Sequence, residues 1–429
     1  MKRYLLALAL LAAGSAHAAK VTVPFTVAPG STGGGGGGPS LCPDDDGSAG
    51  ATAGVANYPT LISAGNYKAS PLGAHGNGCK TPGVDYYVGV PQGLALKDPT
   101  TAAPAGCKYD GSRYLDCTGA VTVSGYDFSL HSTLLTGSGT TTVTNSKFVF
   151  AANCTDPVIN VTGSLTFTHT TIDGTAGWTC NLNQGFGSFV NVNPPGGGFF
   201  FAEYNHMPRI AQDGFDMNAP GSGNVAITIK YNAVHREGST GHPDWLQFCG
   251  GGGGVMTPVD IRHNLWYGQP EPGPDEGGTQ PLHVEAQNCG GAGHITNATV
   301  ANNVVLGTGT CQGGNNWPIG CAMNFGIACK LDDSASSNVN FRAYGNHVDA
   351  SGGITALTNG YGCKGTTWGS PQPNYDMTAG TVLGNNPAMI AAQSRFPAMR
   401  PLDLAHRAKI KAQMARLVVL ETERQARLK

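Results

Sequence analysis

One short phrase of apolar and polar positions recurs along the middle of the chain: apolar, two residues, a small polar residue, one residue, apolar. It reads Val123-x-x-Tyr126-x-Phe128, Val143-x-x-Ser146-x-Phe148, Phe167-x-x-Thr170-x-Ile172 and Ala202-x-x-Asn205-x-Met207. It continues as Ile229-x-x-Asn232-x-Val234, Ile261-x-x-Asn264-x-Trp266, Val300-x-x-Asn303-x-Val305 and Ala343-x-x-Asn346-x-Val348. A period of roughly 20–45 residues marks stacked supersecondary units that bury their apolar faces on one another. From residue 205 onward the polar slot is Asn, which accepts sharp bends and bonds to nearby backbone. Stacked, these Asn predict a ladder at one corner of a solenoid.

Each phrase is followed, after a Gly-rich loop, by a second short strand, as at 213–217, 244–248, 282–286 and 321–325. Segments 227–231 and 259–263 alternate apolar and polar, with one face in and one face out. Short, evenly recurring strands without intervening helical periodicity predict an all-β parallel solenoid rather than βαβ units. The variable spacing is absorbed in loops, chiefly 173–187, 234–241, 268–280 and 307–319, which in solenoids gather on one side and often carry function. The pattern divides the chain into a signal segment (1–18), a Gly-rich lead-in (19–56), the solenoid (57–385) and a basic helical segment (386–429). Residues 84–91 read as the first strand of the body. Leu404, Ala408, Met414, Leu417 and Val418 recur at helical spacing among many Lys and Arg, which predicts a C-terminal amphipathic α-helix. That helix is a cap on the solenoid, a partner-binding element or a frayed tail.

The start of the chain supports export. Met1-Lys2-Arg3, an apolar run over 4–13 and Ala16-His17-Ala18 form a signal peptide cut after Ala18, too short to span a bilayer. No later stretch reads as a membrane span, so the expected location is secreted, periplasmic or cell-surface. The 12 Cys are an even number without tight metal spacing, which favours disulfides over zinc. Cys107–Cys117 and Cys249–Cys289 are plausible local bridges. With 12% charged residues, 64 Gly and a formal charge of −2, the chain carries no electrostatic footprint for nucleic acid.

Unusual side chains concentrate between Asn205 and Gln287: Gln212 to Asp216, His235-Arg236-Glu237, His242 to Gln247 and His283 to Gln287. Two registers are open. Either Phe215, Leu246 and Leu282 share the inward column and Asp216, Gln247 and His283 stack outward, or Cys249 aligns with Cys289 and Gln247 with Gln287. A one-residue slip exchanges the faces. Cleavage of a uronate polymer by elimination needs a base at C5 and a neutralised carboxylate. Arg236 or His242 is the candidate base, with Asp244 and His283 beside it. Asp213 and Asp216, with Asp244 as a further ligand, could hold Ca²⁺. Trp245 and Trp266, with Trp317 nearby, offer faces for sugar rings, and Gln247 and Glu285 offer polar contacts. Hydrolysis would instead need two carboxyls roughly 5–10 Å apart, for which Asp213 and Asp244 are the pair. The plain alternatives are turn residues at Asp213 and Asp244, a loop imidazole at His242, a solvated face at His283 and Glu285, and core packing for the Trp side chains.

Phrase repeat, Asn ladder and export signal together resemble the right-handed parallel β-helix proteins of the pectate-lyase-like superfamily, over about residues 83–359. The stretch His242-Pro-Asp-Trp-Leu-Gln247 is similar to the His-x-Asp-x-x-Gln segment of many secreted β-helix proteins. The polygalacturonase pattern of Asn-Thr-Asp, Asp-Asp and Gly-His-Gly is absent, as is the Asp-Pro-His-Asp motif of mannuronan epimerases. The resemblance therefore implies an architecture and a substrate class, acidic polysaccharide handled beside one sheet and often with calcium, and no catalytic residue. It leaves two functions: a polysaccharide lyase, with glycoside hydrolysis second among enzymes, or a non-catalytic glycan-binding or adhesion solenoid.

Overall fold

The computed structural model describes residues 42, 44–59, 61, 78–149, 157–174, 189–209, 214–219, 221–237, 245–249, 253–269, 282–286, 294–306, 325–331, 337–348, 355–359, 363–377, 380–383 and 388–389. The chain winds as a parallel β-helix with three strands per coil. One coil is Phe215–Asn218, Gly223–Lys230 and Ala233–Glu237; the next is Leu246–Cys249, Gly254–Arg262 and Leu265–Gln269. Equivalent strands of successive coils pair in parallel: Phe215↔Leu246, Ile227↔Val259 and Ala233↔Leu265. This stacking builds three long sheets, called first, second and third in chain order. The first ends at Leu246–Cys249; beside that strand Leu282–Ala286 begins a separate four-stranded sheet with Phe325–Leu331, Thr355–Asn359 and Ala388–Met389.

Strand alternation sets the core. Ile159, Val161, Val190, Val192, Phe215, Met217, Leu246 and Phe248 line the inside of the first sheet and are sealed from solvent. The second and third sheets contribute Phe167, Phe200, Ile227, Ile229, Val259, Ile261, Val234 and Trp266 to the same interior. Full burial of one such side chain contributes about 1.5–3 kcal/mol.

The recurring phrase is the corner between the second and third sheets. Asn145, His169, Tyr204, Tyr231, His263 and Asn302 stand immediately before the polar slot with φ of 50, 48, 57, 57, 52 and 54°. This single left-handed residue breaks the strand period of two, so the polar residue after it points inward again. Asn232 and Asn264 each donate through Nδ2 to the next Asn in the ladder and to a carbonyl of the coil before it, Ala202 at 3.0 Å and Ile229 at 2.9 Å. The ladder runs Ser146, Thr170, Asn205, Asn232, Asn264, Asn303, Asn346 and on to Asn374. At the corner between the first and second sheets the coils meet through glycine: a Cβ on Gly163 would lie 1.8 Å from the Gly139 carbonyl oxygen.

Residues 84–91 stand outside the coil. The strands of the coil begin with Tyr114–Thr118, whereas Tyr86 and Val88 pack onto the outer face of the third sheet against Ala233, Leu265, Val304 and Leu306. Their alternation is that of a covering segment whose apolar side chains meet outward apolar positions. Residues 45–50 run along the second corner: Tyr231 and Tyr204 donate their hydroxyls to the carbonyls of Asp45 (3.2 Å) and Gly47 (3.1 Å). The Cys107–Cys117 bridge is present, and Cys42–Cys79 and Cys329–Cys363 join it. Cys289, the signal segment and the C-terminal helix lie outside the described residues. Among the described residues no helix is long and apolar enough to cross a membrane.

Candidate functional site

The outer face of the first sheet is where the sequence places its chemistry. Strand pairing aligns Asp116, Thr136, Asn160, Asn191, Asp216 and Gln247 in one file along the sheet. Their neighbours at odd spacing face inward, so the file from Asp116 to Asp216 faces away from the coil interior. That part of it is nevertheless closed to solvent: Asn191 is 0% and Asp216 5% exposed. Burial of polar groups costs free energy unless they are hydrogen-bonded, and the file meets that cost within itself. Thr136 donates its hydroxyl to Asp116. Asn191 donates Nδ2 to Asn160 Oδ1 at 2.8 Å, and Asn218 donates Nδ2 to Asn191 Oδ1 at 3.3 Å. Asn218 Oδ1, two residues along the strand from Asp216, is buried without a hydrogen-bond partner. An orphaned buried oxygen beside a carboxylate fits a water or an oxygen-ligated cation such as calcium.

Phe215, Leu246 and Leu282 are all buried and Asp216 pairs with Gln247, as the first register has it; Gln287 and Cys289, on which the second rests, lie outside the described residues. His283 and Glu285 are on the neighbouring strand Leu282–Ala286, paired through their backbones with Ala328 and Lys330. Asp216 and Gln247 thus lie on adjacent strands of the first sheet, and His283 and Glu285 on the strand beside them that opens the four-stranded sheet. Arg236 is placed on the third sheet, opposite Gly268, near the end of Ala233–Glu237, from which the chain passes toward the first sheet. Asp213, His242 and Asp244 lie outside the described residues.

Trp245 and Trp266 stand apart from this face. Each is 2% exposed; Trp245 packs on Phe215 with ring centroids 6.2 Å apart, and Trp266 is among the largest side chains of the interior. Neither presents a ring face on which a sugar could stack. The file's two carboxylates, Asp116 and Asp216, are separated by four strand spacings, roughly 19 Å at about 4.8 Å each. They do not form the closely spaced pair that glycoside hydrolysis requires.

A second concentration of titratable groups was not foreseen. At the second corner His169, Tyr204, Tyr231 and His263 stack ring on ring, with centroids 4.9, 4.9 and 5.7 Å apart. Burial pushes the His263 imidazole down to about 4, despite the opposing influence of Asp44 and Asp46. Burial likewise lowers His206 to about 4; its Nε2 lies 2.8 Å from the Tyr58 hydroxyl. Glu203 is pushed up to about 7, first by burial and then by Asp260 and Asp45, against Lys230. Lys230 pairs with Asp260 at 2.7 Å, and Arg262 binds the same carboxylate. The signal available in the sequence was the residue before each polar slot: His169, Tyr204, Tyr231 and His263 in successive repeats. No family model, curated protein or solved structure matches the chain.

Proposed function

We propose that the protein acts on extracellular acidic polysaccharide beside the first sheet, where the segments carrying Asp213, His242 and Asp244 lead into its strands, most directly by β-elimination, as a β-helix protein of the pectate-lyase-like kind. The observation that carries this reading is the polar file ending in Asp216 and Gln247, with an orphaned amide oxygen beside the carboxylate. Asp216, with Asp213 and Asp244 from the segments leading into these strands, is assigned to a cation that neutralises the uronate carboxylate. In sequence Asp213 and Asp244 each stand two residues before the paired Phe215 and Leu246. Arg236 or His242 removes the C5 proton, the C4–oxygen bond breaks, and the leaving oxygen takes a proton. His283, Gln247 and Glu285 are assigned to the substrate on the adjoining strands. Calcium, when bound, supplies charge neutralisation. The three disulfides among the described residues suit the oxidising compartment in which such polymers occur.

The non-catalytic reading, a glycan-binding or adhesion solenoid, rests on the amide-rich character of the same file, whose Asn160, Asn191 and Asn218 are hydrogen-bonding rather than proton-transferring groups. Purified protein incubated with pectate, alginate and glucuronan, with and without Ca²⁺, separates the two. The lyase reading expects ultraviolet absorbance from an unsaturated product, lost in Asp244→Ala and in Asp216→Asn. Silence on all three polymers removes it and leaves the binding reading.

A further inference from the structure

The Cys42–Cys79 bridge does not lie alone. The two Sγ atoms and a ring nitrogen of His263 all lie within 4.8 Å of one another. His263 is 2% exposed, and neither Nδ1 nor Nε2 has a hydrogen-bond partner. A buried imidazole with both nitrogens unpaired forgoes hydrogen bonds it would make in water. Carboxylates surround the group: Asp44, which binds Arg262 at 3.3 Å and Asn302 at 2.9 Å, and Asp46, whose oxygens accept from the backbone of Ser48 and Lys80. The cysteine Cα atoms are 4.6 Å apart. Tetrahedral zinc, with bonds of about 2.3 Å to sulfur and about 2.0–2.1 Å to nitrogen, holds its ligand atoms roughly 3.4–3.8 Å apart. The present spacing is within a side-chain adjustment of that.

We propose that the Cys42–Cys79 disulfide is the oxidised state of a Cys₂His metal site, which takes zinc on Cys42, Cys79 and His263 once a dithiol reductant has opened it. The dithiol gives two electrons and two protons to the bridge and leaves as its own disulfide. The two thiols then lose their protons to solvent as the metal binds, and the metal keeps its oxidation state. Soft thiolates with one imidazole select zinc over the calcium assigned to the first sheet. The fourth position falls to water. In the oxidised state the bridge ties Cys42 to Cys79 within the covering segment; the metal would tie both to the second corner through His263. The site is independent of the polysaccharide reading.

The test uses full-length protein, oxidised or reduced anaerobically with a phosphine, and titrated with Co²⁺ as a spectroscopic stand-in for zinc. Reduced protein is expected to show the visible bands of tetrahedral cobalt and a thiolate charge-transfer band, while oxidised protein shows neither. Cys42→Ser/Cys79→Ser should lose one equivalent of bound metal. His263→Asn should shift the visible bands and weaken binding at least about tenfold. Asn is chosen because Asn302 and Asn145 hold the same left-handed corner position in other coils. Equal stoichiometry and identical spectra in all three reduced proteins would overturn the proposal. So would a reduced wild-type chain that takes no cobalt, whether or not its β-sheet circular dichroism survives.

Discussion

Asn232 and Asn264 are 32 residues apart in sequence and adjacent in the ladder: the Asn232 Nδ2 donates to Asn264 Oδ1 at 2.9 Å, and the same oxygen accepts the Asn232 backbone N–H at 3.0 Å. Each Asn therefore ties its own corner to the coils on both sides. Asn232→Ala would remove the acceptor of the Asn205 N–H and of one Nδ2 hydrogen of Asn205, whose other Nδ2 bond to Phe167 remains, and the donor to the Ala202 carbonyl, in a buried corner. At about 1–3 kcal/mol for a buried unsatisfied group, the expected loss is roughly 3 kcal/mol or more. Asn224→Ala, on an exposed strand position, should cost less than about 0.5 kcal/mol. Urea unfolding of the two variants decides the point, and equal midpoints would deny the ladder its role.

The glycine corner makes a separate steric prediction. In Gly163→Ala the new methyl group meets a backbone carbonyl of the neighbouring coil at 1.8 Å, an obstacle that cannot rotate away. The cost should reach the upper end of the roughly 1–3 kcal/mol seen for overpacking. Gly93→Ala meets no atom within 4 Å and carries only the strain of φ +75°, about 1–2 kcal/mol. Thermal unfolding should rank Gly163→Ala as the less stable; the reverse order would mean that the coils separate without cost.

Acidification should loosen the covering segment. His263 and His206 titrate near 4 when folded and near 6.5 when unfolded. Between those values the unfolded chain binds more protons, so stability falls as the pH drops from about 6.5 toward 4 and levels off below. For His263 the shift corresponds to about 3 kcal/mol. Glu203 acts in the opposite sense: with its carboxyl raised to about 7, its contribution is present at low pH and lost as the pH rises through 7. The two histidines outweigh it, and the melting temperature should decline from pH 7 to pH 4.5. His263→Asn should flatten that decline. A melting temperature that climbs on acidification would contradict the assignment.

The ladder from Ser146 to Asn346 was legible because its apolar flanks recur at fixed offsets. Asn374 escaped the same phrase because Pro371 and Asp376 occupy those flanks, although its bonds to Asn346 continue the ladder. Segment 84–91 has the alternation of a strand, and periodicity alone does not reveal that Val88 is buried from outside the coil. The pairing of Asp216 with Gln247 followed from one of the two open registers. The file of Asn160 and Asn191 did not, since a polar residue at an outward strand position reads as solvated until its surroundings are known. Trp245 and Trp266 show the converse: large aromatic side chains near a polar cluster in sequence, yet turned into the core by strand parity.

The proposal that polysaccharide is handled beside the first sheet is tested most directly by hydrogen–deuterium exchange on the wild-type protein with and without a saturating oligouronate and Ca²⁺. Slowed exchange should concentrate on Ile159–Thr162, Val190–Val192, Phe215–Asn218 and Leu246–Cys249 of the first sheet. Protection confined to the second or third sheet, or none at any ligand concentration, would contradict that placement.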